Sequence, residues 1–278
     1  MIRAALHLSI LALSLTLAAC NKAESAATNP SPPAEQHRDF KVVHTFVALC
    51  DNASQGIAPV PSKIGNGNDP ANNLYWGCSD GSRAYFSKSK QWRRLSTGKA
   101  KDQPAILERL VFQHKQSRTV MVVDAWRGSE IKECMAQFCQ SMAGQRYESV
   151  TIKDDQGEHR VNLAGGADLL AFIGHNGLME FSLPALPANP KRKQDVSAVV
   201  LCCKSDRFFQ KHTEPSGVTP LVMTASNMYP GAFILHDVIE GWLKQEDRGQ
   251  LRLRAAKAYA KNQKISTKSA LNVFAPLP

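Results

Sequence analysis

Five short apolar runs punctuate the chain, at residues 42–49 (VVHTFVAL), 119–123 (TVMVV), 169–173 (LLAFI), 198–202 (AVVLC) and 221–224 (LVMT). Most are continuous in apolar character and rich in β-branched residues, the pattern of strands buried on both faces of a parallel sheet. The first run contains His44 and Thr45 and reads as lying toward an edge. Helical periodicity fills the spaces between runs. Residues 129–143 open with Ser129 and an early glutamate, place Ile131, Met135, Phe138 and Met142 on one face, and close at Gly144. Residues 232–244 and 251–261 predict two further helices, and 71–92 a partly helical stretch broken by Gly77 and Gly81. Residues 147–161 predict a small hairpin turning at Asp155-Gln156-Gly157, set to the side of the main sheet. Strands that alternate with helices imply a single α/β domain, a mainly parallel sheet with helices on both faces and right-handed crossovers.

The N-terminus changes where that domain is expected to reside. One positive charge at Arg3 precedes an apolar stretch over residues 4–19, too short for a permanent span and suited to a signal segment. It ends in Leu17-Ala18-Ala19-Cys20, which resembles the lipobox of bacterial lipoproteins. That resemblance implies cleavage after residue 19 and lipidation of Cys20. Asn21 is not the aspartate that retains many lipoproteins at the inner membrane, so the outer membrane facing the periplasm is expected in a Gram-negative host. Residues 20–39, rich in Ser, Ala, Pro and Asn, then read as a flexible tether, and residues 40–278 as the folded domain with a basic helical extension at its end.

The formal charge is +10 at pH 7, spread over Lys191-Arg192-Lys193 and residues 248–268. No nucleic-acid reader motif accompanies it, and an envelope location speaks against such a partner. A solvated surface, or attraction to anionic lipid or cell-surface polymer, suits a tethered protein better. Of seven cysteines, six remain once Cys20 is set aside. The envelope permits disulfides, and Cys50 with Cys78 is a possible pair. Cys134 and Cys139 lie five apart in a helix and point in different directions. Neither a metal nor another cofactor is implied, because the cysteines lack the C-x-x-C pairing that zinc sites use.

Chemistry in open α/β sheets gathers beyond the carboxyl ends of the strands. There the chain places Asp51 after the first run, Asp124 after the second, Gly174-His175-Asn176-Gly177 after the third and Cys202-Cys203-Lys204-Ser205 after the fourth. A histidine and a cysteine at successive strand ends can share one substrate, the imidazole activating the thiol and protonating a leaving amine. An apolar strand, Gly-His-x-Gly, some twenty residues, a second apolar strand and Cys-x-Ser together resemble the core of the caspase-like cysteine peptidases. The resemblance follows the order of elements over residues 40–245, with identity confined to the two short motifs. It implies a caspase-like α/β fold and a peptide or protein substrate, with His175 as the catalytic histidine and Cys203 as the nucleophile. The chain departs from the pattern in three ways. Asn176 stands between His175 and Gly177, no glycine closes the cysteine motif, and the cysteine is doubled. Cys202, which ends the apolar run, reads as the last buried strand residue. Backbone amides near Gly177 and Cys203 are candidate oxyanion donors. Asp51 and Asp124 are candidate substrate-binding acids for a basic side chain, or else bond amides in their own turns. The polar loop 56–73, rich in Gly and Pro, has the length and position of a functional loop. The same fold without catalysis would serve as a lipoprotein that binds a protein or envelope polymer.

Overall fold

The five apolar runs lie side by side in one sheet. In the computed structural model, which describes residues 31–32 and 40–276, they form β1 (Lys41–Ala48), β4 (Thr119–Trp126), β7 (Leu169–Ile173), β8 (Ser197–Leu201) and β9 (Thr219–Val222), all mutually parallel. Two strands without an apolar signature, β2 (Trp92–Gly98) and β3 (Ile106–His114), add antiparallel pairings and give the order β2-β3-β4-β1-β7-β8-β9. A separate hairpin, β5 (Tyr147–Asp154) with β6 (Gly157–Ala164), turns at Asp155-Gln156. The lipobox, Cys20 and most of the tether lie outside the described residues. Among the described residues, no helix is long and apolar enough to cross a membrane.

Both faces of the sheet are covered, which explains the continuous apolar runs. Val43 and Val47 of β1 point to one side, into a cluster with Phe86 of α1 (Ser82–Lys88) and with α4 (Ala232–Leu243), α5 (Arg248–Gln263) and α6 (Thr267–Leu271). Val42 and Phe46 point to the other, against Met135 and Phe138 of α2 (Ile131–Met142), Phe209 of α3 (Ser205–Ser216) and Ile152 and Val161 of the hairpin. This single α/β domain, with a mainly parallel sheet and two helical layers, is consistent with a caspase-like arrangement.

Several expectations need correction. β1 sits at the sheet's centre rather than toward an edge, between β4 and β7. His44 is tolerated there because it has partners on both ring nitrogens, Asp124 and the Ala164 amide. β4 does not stop at Val123 but runs to Trp126, so Asp124 lies inside the strand. Arg109 stands directly across from it on β3 and neutralises its charge, which lets a carboxylate remain within the ladder. Helix α2 is not capped by Ser129; a 3-10 turn over Gly128–Glu130 leads into it without any side-chain cap. Of residues 71–92, only α1 is helical; turns precede it and the start of β2 ends the stretch.

Just beyond β9, at the far edge, the chain is paired to the C-terminal segment. The Ala225 amide donates to the Val273 carbonyl at 2.8 Å and the Ala275 amide to Met223 at 2.9 Å, with an antiparallel bridge between Thr224 and Phe274.

Candidate functional site

The site is assembled where β1, β7 and β8 end. In the parallel ladder Leu169 faces Ser197 and Ile173 faces Leu201. The ladder ends at that pair, and counting on by two residues along each chain sets His175 against Cys203, both in the segments that follow the strands. The strands stay together past their last ladder residues, because the Gly174 amide donates to the Leu201 carbonyl at 3.3 Å. Gly174 has φ +157° and lies against β1, where a Cβ would come within 3.0 Å of the Ala48 carbonyl oxygen; glycine is what the turn out of β7 requires.

Asn176 ties the two strand ends to each other. Its Nδ2 donates to the Cys203 carbonyl at 2.6 Å, while its Oδ1 accepts the Leu178 amide at 3.2 Å and caps the 3-10 turn Gly177–Met179. Gly177 is packed so closely that a Cβ there would meet the Phe181 ring at 2.6 Å. Its amide donates to the His175 carbonyl at 3.2 Å, which occupies one candidate oxyanion donor and leaves the Cys203 amide as the other.

The cysteine pair divides as its position in the sequence suggests. Cys202 is fully buried, and burial pushes its thiol well above the ordinary range. Cys203 is only half-buried, and its sulfur accepts the Met228 amide at 3.4 Å. Lys204 then takes a left-handed conformation, φ +52°, so the chain swings sharply from Cys203 into α3. Ser205 of the Cys-x-Ser motif is structural. Its hydroxyl donates to the Val200 carbonyl at 2.8 Å and accepts the Thr224 amide at 2.8 Å, pinning the start of α3 to β8 and β9.

His175 is nearly buried, and its Nε2 lies 2.5 Å from Oε1 of Glu180. The same carboxylate oxygen accepts the Gly56 amide at 2.7 Å, so the loop after β1 and the turn after β7 meet at Glu180. Sequence reasoning missed Glu180. A carboxylate five residues beyond a strand-end histidine was the available signal, and only the turn between them makes it informative.

The loop 56–73 is a closely bonded series of turns. Asn73, fully buried, holds it to the end of β1: its Oδ1 accepts the Cys50 amide at 3.0 Å and its Nδ2 donates to the Cys50 carbonyl at 2.8 Å. Cys50 and Cys78 are free thiols, as are the other four described cysteines. Burial pushes the Cys50 thiol up to about 11, with the Tyr75 hydroxyl bond acting against that rise.

The two candidate acids do not converge on this edge in the same way. Asp51 lies beyond β1 but turns inward, accepting the Ala53 amide at 3.2 Å and the Ser54 hydroxyl at 2.6 Å in its own turn. Asp124 lies on the α2 side of the sheet with Val122 and Trp126, whereas Cys203 meets Met228 on the α4 side. Both Asp124 oxygens are taken by Arg109, at 2.6 and 2.7 Å, and Oδ2 also by His44 at 3.0 Å. Arg109 and Glu148 line a groove of about 540 Å³ bounded by Ser96, Lys99 and Arg146, remote from the strand ends that carry His175 and Cys203.

No family model, no curated protein and no solved structure matches this chain. The chemistry of the site therefore rests on its own geometry.

Proposed function

We propose that this protein is a membrane-tethered thiol hydrolase, a cysteine peptidase of caspase-like kind acting on peptides or proteins. The observation that supports it most is the half-buried Cys203, whose carbonyl is bonded by Asn176, the residue next to His175. In this reading the Cys203 sulfur attacks the scissile carbonyl carbon while His175 accepts the thiol proton. The C–N bond then breaks, the same proton passes from His175 to the leaving amine, and water hydrolyses the thioester to release the acid and regenerate the thiol. The Cys203 amide is the candidate donor to the oxyanion.

The test is covalent labelling of the full chain by an electrophilic peptide probe. Labelling is expected in the wild type and lost in Cys203→Ala, strongly reduced in His175→Ala and retained in Cys202→Ala. Equal labelling of Cys203→Ala would remove the assignment and favour a non-catalytic lipoprotein that binds a protein or envelope polymer. Tethering through Cys20 belongs to the same proposal, on the Leu-Ala-Ala-Cys sequence. Cys20→Ser should abolish incorporation of radiolabelled fatty acid, and undiminished incorporation would refute the anchor.

A further inference from the structure

Glu180 has no counterpart in a two-residue site, and its surroundings give it a definite task. Two N–H donors from different elements converge on its Oε1: Nε2 of His175 at 2.5 Å and the Gly56 amide at 2.7 Å. An ionised carboxylate only accepts hydrogen bonds, so when the ring carries a single proton this contact places it on Nε2. Nδ1 is then the basic nitrogen, and no described residue hydrogen-bonds it. The carboxylate lies so close to this glycine that a Cβ on Gly56 would fall 2.4 Å from Oε1. Glu180 is also the residue where the 3-10 turn ends, its amide bonded to the Gly177 carbonyl at 2.9 Å. The turn fixed by Asn176 thus sets both the histidine and the acid that holds it.

We infer that Glu180 is the positioning residue of the site, holding His175 through Nε2 so that Nδ1 serves Cys203, with the Gly56 amide as the clamp on Glu180. The inference rests on the proposed thiol hydrolase. When the thiol proton reaches Nδ1, the ring becomes a cation, and the adjacent carboxylate stabilises that charge without taking the proton. A purely structural carboxylate would matter only to folding. The Glu180 side chain is 35% exposed, where an ion pair contributes little to stability.

The test uses the full chain with two readouts. In ¹⁵N-imidazole NMR the wild type should show a hydrogen-bonded Nε2–H resonance that disappears in His175→Ala. Glu180→Gln and Gly56→Ala should lose or shift that resonance while keeping the wild-type thermal midpoint. Both variants should also react with an electrophilic peptide probe at Cys203 roughly tenfold or more slowly than the wild type, as expected when a histidine loses its orienting carboxylate. The probe concentration for half-maximal rate should stay the same, and Glu180→Asp should recover part of the rate. An unshifted resonance in Glu180→Gln, or a wild-type labelling rate in that variant, overturns the inference and leaves the hydrolase proposal standing. A wild type that shows the resonance but never labels at Cys203 overturns the hydrolase proposal, and with it any catalytic role for Glu180.

Discussion

The side-chain amide of Asn176 donates to the backbone carbonyl of Cys203 at 2.6 Å. Twenty-seven residues separate the two in sequence, and this bond fixes the distance between the strand ends that carry the candidate histidine and thiol. A glycine at this position could not provide that clamp.

The clamp can be separated from the cap that Asn176 also makes. Asn176→Asp keeps an oxygen for the Leu178 amide but replaces the donor to Cys203 with a second acceptor, setting oxygen against oxygen in a buried place. Asn176→Ala loses both bonds. An orphaned buried carbonyl costs about 1–3 kcal/mol. The Asp variant should therefore be destabilised at least as much as the Ala variant, despite keeping the cap. Urea denaturation checks this; an Asp variant as stable as the wild type would mean that the Cys203 carbonyl does not need the donor.

The thiols should separate by accessibility. Cys134 and Cys202 are fully buried and pushed well above the ordinary thiol range by burial, Cys139 is pushed up to about 12 and Cys50 to about 11. Thiolate is the reactive form, so these four should alkylate slowly in the native state at pH 7.5. Brief treatment with iodoacetamide followed by peptide mass mapping should find the label first on Cys203. Cys78, half-exposed but also raised, mainly by burial, should follow. Early labelling at Cys202 would show that the strand end is open rather than sealed.

The parts of the molecule that sequence disclosed are those where burial is two-sided. β7 and β8 carry no polar residue between Leu169 and Ile173 or between Ala198 and Leu201, because helices cover both faces. β2 and β3 escaped because their polar residues break the signal. Arg93 and Arg94 are exposed on the edge strand, and β3 carries Glu108 and Arg109, the latter serving Asp124. The end of β4 was misplaced for the same reason, since a charged residue reads as a strand terminus until its partner is known. At the site, His175 and Cys203 were legible because strand ends can be located. Asn73, Asn176 and Thr224 were not, because each acts on backbone far away in sequence and leaves no periodic trace.

The buried polar group on the α2 side should make stability depend on pH, with a sign that follows from its protons. His44 donates from Nε2 to Asp124 at 3.0 Å and accepts the Ala164 amide on Nδ1 at 3.1 Å, so the folded ring is neutral and both nitrogens are used. Burial is the main cause that lowers its pKa below 6.5, with Arg109 adding to it while the Asp124 bond and charge oppose. In the unfolded chain the ring takes up a proton as pH falls through 6.5, and the folded protein does not follow. Stability is therefore lost below 6.5, by about 1 kcal/mol per pH unit, until the lower folded value is reached. His212 is also lowered, chiefly by burial, and acts in the same direction. Asp124 titrates in a more acid window: burial alone would raise it, but the bonds from Arg109 and His44 hold it below 3.8. Its contribution is present above 3.8 and disappears only as pH falls through that lower folded value. The urea midpoint of the wild type should thus be lower at pH 5.5 than at pH 7.5. In His44→Gln, whose amide does not titrate here, the difference between the two pH values should shrink. An undiminished difference would mean that His44 is protonated in the folded state, with the Ala164 amide bond broken.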